Sequence, residues 1–165
     1  MSKRVTPEIE TFARIRVVGC GGSGNNAINH MINSKVKGVE FVAVNSDAQD
    51  LHRSLAKKKV HIGKNLTRGL GTGMNPDLGR RAAEETRQEI QESLQGSDMV
   101  FITCGMGGGT GTGSSVVVAK IAKELGALTI AVVTRPFSFE GAQRSEIAEQ
   151  GLAQLKQEVD AYIVI

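Results

Sequence analysis

Residues 99–125 read MVFITCGMGGGTGTGSSVVVAKIAKEL and join three unlike segments. The apolar run at 99–104 has the length and composition of a buried parallel strand, and 114–125 has those of a helix. The glycine-rich loop between them, 105–113, exposes peptide N–H groups that can approach phosphate oxygens closely, and the helix that follows adds its positive end. The stretch predicts a strand, an anion-binding loop and a helix of a parallel α/β fold.

The same alternation continues on both sides of this stretch. Short β-branched runs predict strands at 14–19, 39–44, 59–62, 99–104, 129–133 and 161–165. Amphipathic runs predict helices at 25–32, 48–55, 77–94, 114–125 and 142–158. The pattern predicts a Rossmann-like, doubly wound parallel sheet of about six strands with helices on both faces. Ligands of such sheets bind at the carboxyl ends of the strands.

A second glycine-rich loop follows the first predicted strand at 19–26, GCGGSGNN. Gly19, Gly21 and Gly24 match the dinucleotide fingerprint G-x-G-x-x-G, so this loop alone favours an NAD(P)- or FAD-dependent oxidoreductase. Two such loops, however, can hold one polyphosphate from both sides, and in the second loop Thr110 and Thr112 can add hydroxyl donors. The pair of loops favours a nucleoside polyphosphate.

The composition of the chain argues against several classes of function. The chain has 165 residues, 20 of them glycine, with no tryptophan and a net charge of +3. Its basic residues are scattered and lack interleaved aromatic residues, so no nucleic-acid partner is expected. No apolar stretch is long enough for a bilayer, which argues against membrane insertion. Cys20 and Cys104 lack metal-ligand spacing and are expected to be buried, reduced packing residues.

Four segments together indicate a family. Residues 107–113, GGGTGTG, closely resemble the G-G-G-T-G-[ST]-G signature of tubulins and of the bacterial and archaeal cell-division GTPases of the FtsZ type. Residues 45–49 and 67–76 resemble the same family, and 134–141, TRPFSFEG, lie closer to the FtsZ branch. The resemblance runs from residue 14 onward. Ser23 and Asn25 stand where many bacterial members have glycine.

The resemblance implies a ligand and a set of site residues. The ligand is GTP or GDP, with Mg²⁺ accompanying GTP. The residues assigned to the nucleotide are Gly21, Gly22, Ser23, Gly24, Asn25, Asn26, Asp47, Thr72, Gly73, Gly107, Gly108, Gly109, Thr110, Gly111, Thr112, Gly113, Thr134, Pro136, Glu140 and Arg144.

Two of these assignments have alternatives. Asp47 can reach Mg²⁺ through water, with no direct metal contact, or cap the helix predicted from Ala48, or do both. Glu140 and Arg144, four residues apart, can bind the ribose, or they can form an exposed salt bridge along the helix start.

The resemblance also implies an assembly. Residues 1–13 are expected to be a flexible segment, and 14–165 a GTP-binding domain truncated before the family's central helix and carboxyl-terminal domain. No catalytic residue is expected within this chain, because the family's catalytic acid lies in that second domain and acts on the next subunit. The whole protein is expected to be cytoplasmic, at the midcell division site, and to form head-to-tail filaments. Division-ring partners would bind regions beyond this chain.

Overall fold

The computed structural model describes residues 12–165; residues 1–11 of the expected flexible segment lie outside the described part. The strands are β1 Ile15–Cys20, β2 Glu40–Asn45, β3 Lys58–His61, β4 Met99–Gly105, β5 Leu128–Thr134 and β6 Ala161–Val164. The helices are α1 Gly21–Asn33, α2 Ala48–Arg53, α3 Lys64–Thr67, α4 Pro76–Glu85, α5 Arg87–Leu94, α6 Thr110–Glu124 and α7 Ala142–Lys156, with a 3₁₀ turn at Ser138–Glu140.

All neighbouring strands are parallel, in the order β3-β2-β1-β4-β5-β6. This confirms the predicted doubly wound α/β sheet. In the register of β1 and β4, Gly19 lies opposite Thr103, so the two glycine-rich segments begin side by side at one edge of the sheet. The order reverses between β1 and β4, which is where ligands of open α/β sheets bind.

Helices cover both faces of the sheet. Along β1, Val17 packs in a cluster with Ile28 of α1, whereas Val18 packs in the larger cluster that contains Ile121 of α6 and Leu152 of α7. Successive strand residues point to opposite faces, so one strand supplies both cores. Full burial of an aliphatic side chain of this size stabilises the fold by about 1.5–3 kcal/mol.

Two helix starts differ from their predicted positions. Helix α1 begins at Gly21 rather than 25, and α6 begins at Thr110 rather than 114. The first N–H groups of a helix have no partner within it, so a glycine-rich segment can take up the first turn and still point its N–H groups at a ligand. The predicted loops are therefore partly helix.

The predicted helix at 77–94 is two helices, α4 and α5, that meet at Thr86. Thr86 Oγ1 donates to the carbonyl of Ala82 at 3.2 Å and accepts the N–H of Gly63 at 2.9 Å. Such side-chain bonds compete with the helical backbone and interrupt it. The start was predicted correctly: Asn75 Oδ1 accepts the N–H of Leu78, and Pro76 occupies the first turn.

The short helix α3 was not predicted, and its residues have no clear amphipathic period. Gly63 precedes it with φ of 64°, in the left-handed region that favours glycine. Within residues 12–165, no helix is long and apolar enough to cross a membrane.

Candidate functional site

A cavity of about 560 Å³ opens at the carboxyl ends of the central strands. Its walls come from the segments that follow β1, β2, β4 and β5 and from the loop before α4. Its lining residues are Cys20, Gly21, Gly22, Ser23, Asn45, Asp47, Asp50, Gly71, Thr72, Gly73, Gly105, Met106, Gly108, Gly109, Thr110, Gly111, Thr134, Arg135, Pro136, Phe137, Glu140, Arg144 and Ile165.

The starts of α1 and α6 meet at the base of this cavity. A Cβ added to Gly21 would lie 2.7 Å from the backbone nitrogen of Gly111, and one added to Gly111 would lie 2.9 Å from the carbonyl oxygen of Cys20. Only glycine permits backbone contacts this close. As a result, the positive ends of two helices face one space, which favours a bound anion.

Three hydroxyl groups connect the segments beside α6. Thr110 Oγ1 lies 2.9 Å from Thr72 Oγ1 and 3.2 Å from Ser46 Oγ, and Ser46 is fully buried. A Cβ on the preceding Gly109 would lie 2.2 Å from Thr72 Oγ1. The loop before α4 therefore lies directly against the start of α6.

Two carboxylates, those of Asp47 and Asp50, line the wall that adjoins the start of α1. Asp47 caps α2, since its Oδ1 accepts the N–H groups of Gln49 at 3.0 Å and Asp50 at 3.1 Å. Its Oδ2 takes no part in the cap and lies 4.0 Å from the position of a Cβ on Gly71. The predicted cap is confirmed, and the second oxygen remains available to a ligand.

Glu140 and Arg144 both line the cavity beyond β5, but not as neighbours on one helix. Glu140 lies in the 3₁₀ turn, Gly141 follows it with φ of 107°, and α7 begins only at Ala142. The prediction that the pair shares one face of a helix start was wrong, because the glycine interrupts the helical backbone. Glu140 Oε2 instead accepts the N–H of Phe137 at 2.6 Å, and no ion pair joins Glu140 to Arg144 among the described residues.

The comparisons with known proteins agree with this architecture. A model described as "Tubulin/FtsZ family, GTPase domain" matches residues 14–165. This chain belongs to the Tubulin/FtsZ family. The match decides against the oxidoreductase alternative, which the strand order alone does not exclude, since dinucleotide-binding sheets share the order 3-2-1-4-5-6.

Solved structures of the family resemble the chain closely. An empty FtsZ dimer from M. jannaschii is 56% identical, with a TM-score of 0.93 over 95% of this chain and 46% of that one. GDP-bound monomeric CetZ1 from Haloferax volcanii is 27% identical, with a TM-score of 0.84 over 92% and 50%. A GTPgS-bound CetZ2 protofilament from Haloferax volcanii is 25% identical, with a TM-score of 0.79 over 92% and 48%. The chain spans about half the length of these proteins.

Most residues that the family resemblance assigned to the nucleotide lie together at the cavity. Those that do not line it are Gly24, Asn25, Asn26, Gly107, Thr112 and Gly113. Asn25 is 3% exposed, and its Nδ2 donates to the carbonyls of Gly21 at 2.6 Å and Val44 at 3.1 Å. In the structure, Asn25 therefore ties α1 to β2 and does not face the cavity.

Thr112 also differs from the expectation of a hydroxyl donor to the anion. It is 1% exposed, and its Oγ1 accepts the N–H of Gly107 at 3.0 Å. Gly113 lies against α4, where a Cβ would meet the carbonyl oxygen of Pro76 at 2.0 Å. These two residues shape the second loop by packing behind it.

Sequence reasoning missed other lining residues, above all Asp50, Phe137 and Arg135. Arg135 lines the cavity, and its Nε lies 3.3 Å from Glu149 Oε1. Phe137 is 69% exposed and stacks on Phe139 with ring centroids 5.3 Å apart. Asp50 could have been found, because it lies in the first turn of the helix predicted from Ala48, three residues after the cap candidate Asp47.

The two cysteines lie under the glycine-rich segments and are buried, as predicted. Burial raises the pKa of the Cys20 thiol, and the neighbouring Cys104 raises it further, while a hydrogen bond with Ser114 acts in the other direction. Burial likewise raises the pKa of Cys104 to about 12, against a smaller lowering by a hydrogen bond with Ser115. Both thiols are therefore neutral packing groups. No group of three or more His, Cys, Asp or Glu side chains that could hold a metal ion is present in the described part of the chain.

Proposed function

We propose that the chain binds GTP and GDP in this cavity, with the polyphosphate between the starts of α1 and α6. The contact of Gly21 with Gly111 carries the proposal, because it brings two helix starts and their N–H groups to one anion-sized space. Family membership supports guanine as the base. The CetZ1 and CetZ2 structures, described as bound to GDP and GTPgS, support the same ligand class.

Each wall of the cavity would hold one part of the nucleotide. Gly22 and Ser23, exposed in the first turn of α1, would receive the inner phosphates, and Gly108 and Thr110 would enclose them from the α6 side. Thr72 and Gly73 would lie near the γ-phosphate. The ribose would lie among the residues that follow β5, namely Thr134, Pro136, Glu140 and Arg144.

We propose Mg²⁺ as a companion of GTP, and the oxygen atoms of the cavity fit that ion. Mg²⁺ prefers hard oxygen ligands and keeps several of its waters. Asp47 Oδ2 faces the cavity outside the α2 cap, so Asp47 can hold a Mg²⁺-bound water while Oδ1 keeps the helix capped. The cation would neutralise charge on the outer phosphates.

Hydrolysis and assembly are proposed for the whole protein rather than for these 165 residues. The solved relatives include an FtsZ dimer and a CetZ2 protofilament, which supports head-to-tail self-association. The resemblance assigns the water-positioning acid to the half of those proteins that this chain does not match. We infer that the chain alone binds nucleotide with little or no hydrolysis, and that the whole protein acts in the cytoplasm, in a division ring at midcell.

Calorimetric titration of the purified chain with GTP, GDP, ATP and NAD tests the ligand. We expect the two guanine nucleotides to bind and NAD to show no heat of binding. Equal or tighter binding of NAD would overturn the proposal. Phosphate release is measured in parallel with excess GTP and Mg²⁺, and sustained turnover by the chain would refute the assignment of catalysis to the unmatched half.

A further inference from the structure

We propose that Asp50 is a second carboxylate for the hydrated Mg²⁺ of the bound nucleotide, so that nucleotide affinity depends on Mg²⁺; this rests on the proposed function. Asp50 is the third residue of α2, and its carboxylate faces the cavity. Its Oδ2 lies 3.9 Å from the position of a Cβ on Gly22, in the first turn of α1. That turn is where the phosphates would bind.

The fold gives Asp50 no other strong role. Its carboxylate forms no hydrogen bond or ion pair with any residue in 12–165. The α2 cap belongs to Asp47, and the N–H of Asp47 is already bonded to Asn45 Oδ1 at 3.2 Å, so Asp50 does not close a capping box. What remains is the modest attraction of an exposed acid to a helix start.

The two aspartates place negative charge beside the proposed phosphate position, on the wall away from the cavity's Arg135 and Arg144. Two helix starts and their N–H groups attract a polyphosphate, but the carboxylates of Asp47 and Asp50 on the adjoining wall repel it. A divalent cation held between carboxylates and phosphate reverses the sign of that interaction. Because Mg²⁺ retains several waters, Asp50 can act through a water without touching the ion.

Asn45 adds an independent sign of a missing oxygen ligand on this wall. It lines the cavity, is 2% exposed, and its Nδ2 has no hydrogen-bond partner within the described residues. A buried amide N–H₂ without an acceptor is costly, and a phosphate oxygen of the ligand or an ordered water would supply the acceptor. Asn45 thus marks a place for a ligand oxygen beside the two aspartates, where a phosphate and its hydrated cation would meet.

The experiment measures GTP affinity of the 165-residue chain by calorimetry, once with excess Mg²⁺ and once with excess EDTA. For Asp50→Asn we expect affinity to fall about three- to tenfold with Mg²⁺ and to rise about threefold or more with EDTA, the range for one partly screened charge. Asp50→Glu keeps the charge and should stay close to the unaltered chain in both conditions. Glu89→Gln, an exposed acid on α5, is the charge-matched control and should change neither value.

The opposite signs separate this role from a structural one. If Asp50→Asn lowers GTP affinity both with Mg²⁺ and with EDTA, or changes it in neither, the role of Asp50 is overturned. Guanine-nucleotide binding itself would still stand. Failure of the unaltered chain to bind GTP in either condition would overturn the proposed function as well. Thermal unfolding without nucleotide shows whether Asp50→Asn folds. If it does not, Asp50→Ser replaces it, and we again expect GTP affinity to fall with Mg²⁺ and to rise with EDTA.

Discussion

Thr72 Oγ1 and Thr110 Oγ1 lie 2.9 Å apart, although 38 positions separate the two residues in the chain. Thr72 is 7% exposed, so the hydrogen bond is largely shielded from water. It joins the loop before α4 to the first residue of α6, next to the proposed γ-phosphate position. The hydrogen bond between Thr72 and Thr110 therefore holds the loop before α4 against α6 at the outer end of the cavity.

Thr72→Val keeps the shape of the side chain and removes its hydroxyl. We expect the free energy of unfolding to fall by about 0.5–1.5 kcal/mol, because the Thr110 hydroxyl loses a partner. GTP affinity should fall more than GDP affinity, which calorimetry measures. Thr72→Ser retains the hydroxyl and serves as the control; an equal loss of both nucleotides would contradict a role near the γ-phosphate.

Gly109→Ala and Gly108→Ala form a matched pair of adjacent substitutions. A Cβ on Gly109 would lie 2.2 Å from Thr72 Oγ1 and 2.4 Å from the carbonyl oxygen of Gly73, whereas one on Gly108 meets nothing within 4 Å. We expect Gly109→Ala to lower stability by about 1–3 kcal/mol through overpacking and to abolish GDP binding. Gly108→Ala should keep the unaltered chain's free energy of unfolding, measured with urea. Unaltered GDP binding by a folded Gly109→Ala would refute the placement of this loop.

Arg16 anchors the end of α5 to β1. It is 7% exposed, and its Nη1 donates to the carbonyl of Gln95 at 2.9 Å and to Ser97 Oγ at 2.7 Å. Arg16→Ala should lower the free energy of unfolding by about 2–4 kcal/mol, because carbonyls at a helix end lose charge-assisted bonds. Glu40→Gln removes only an ion pair with a 66% exposed carboxylate and should cost well under about 1 kcal/mol. Chemical denaturation of both variants checks the contrast.

Arg144→Ala tests the ribose side of the cavity. We expect GDP affinity to fall about tenfold while the melting temperature without ligand stays nearly constant, since Arg144 forms no ion pair among the described residues. The loss should be smaller with 2′,3′-dideoxy-GDP, which lacks the hydroxyls that Arg144 would contact. Equal losses for the two nucleotides would place Arg144 elsewhere on the ligand.

Glu140 should respond differently, because Oε2 also accepts the N–H of Phe137. Glu140→Gln keeps an acceptor and should retain the 3₁₀ turn, whereas Glu140→Ala should lose both the turn and binding. Proteolysis of the segment after β5 reports on the turn. Equal cleavage of the two variants would show that the Phe137 bond does not hold it.

Cys20 and Cys104 should resist Ellman's reagent in the native chain and react fully in urea at the same mildly alkaline pH. The reagent needs a thiolate, and burial raises both pKa values, that of Cys104 from 9.0 to about 12. Between pH 9.0 and about 12 the Cys104 thiol is deprotonated in the unfolded chain but protonated in the folded one. The contribution of the neutral, buried thiol to the free energy of unfolding is therefore full below pH 9.0 and is lost as pH rises toward 12. Rapid native labelling would contradict the burial.

The strand–helix order and the phosphate-binding character of the two glycine-rich segments could be predicted from sequence, because both depend on short-range pattern. A run such as 99–104 is apolar and β-branched wherever it stands, and the bare N–H groups of 107–113 need no distant partner to be recognised. The start of α4 was equally local, since Asn75 and Pro76 act within one turn. The family resemblance rested on the same contiguous residues.

The direction of individual side chains was decided only by tertiary structure. Thr110 and Thr112 look equivalent in sequence, yet Thr110 faces Thr72 and the cavity, while Thr112 turns inward to hold Gly107. At the start of α1, the backbone of Gly21 meets that of Gly111, a contact that no local pattern encodes. The spacing of apolar residues predicts which element forms. Which side chain reaches a ligand depends on where distant segments pack, because they cover the other sides of the element.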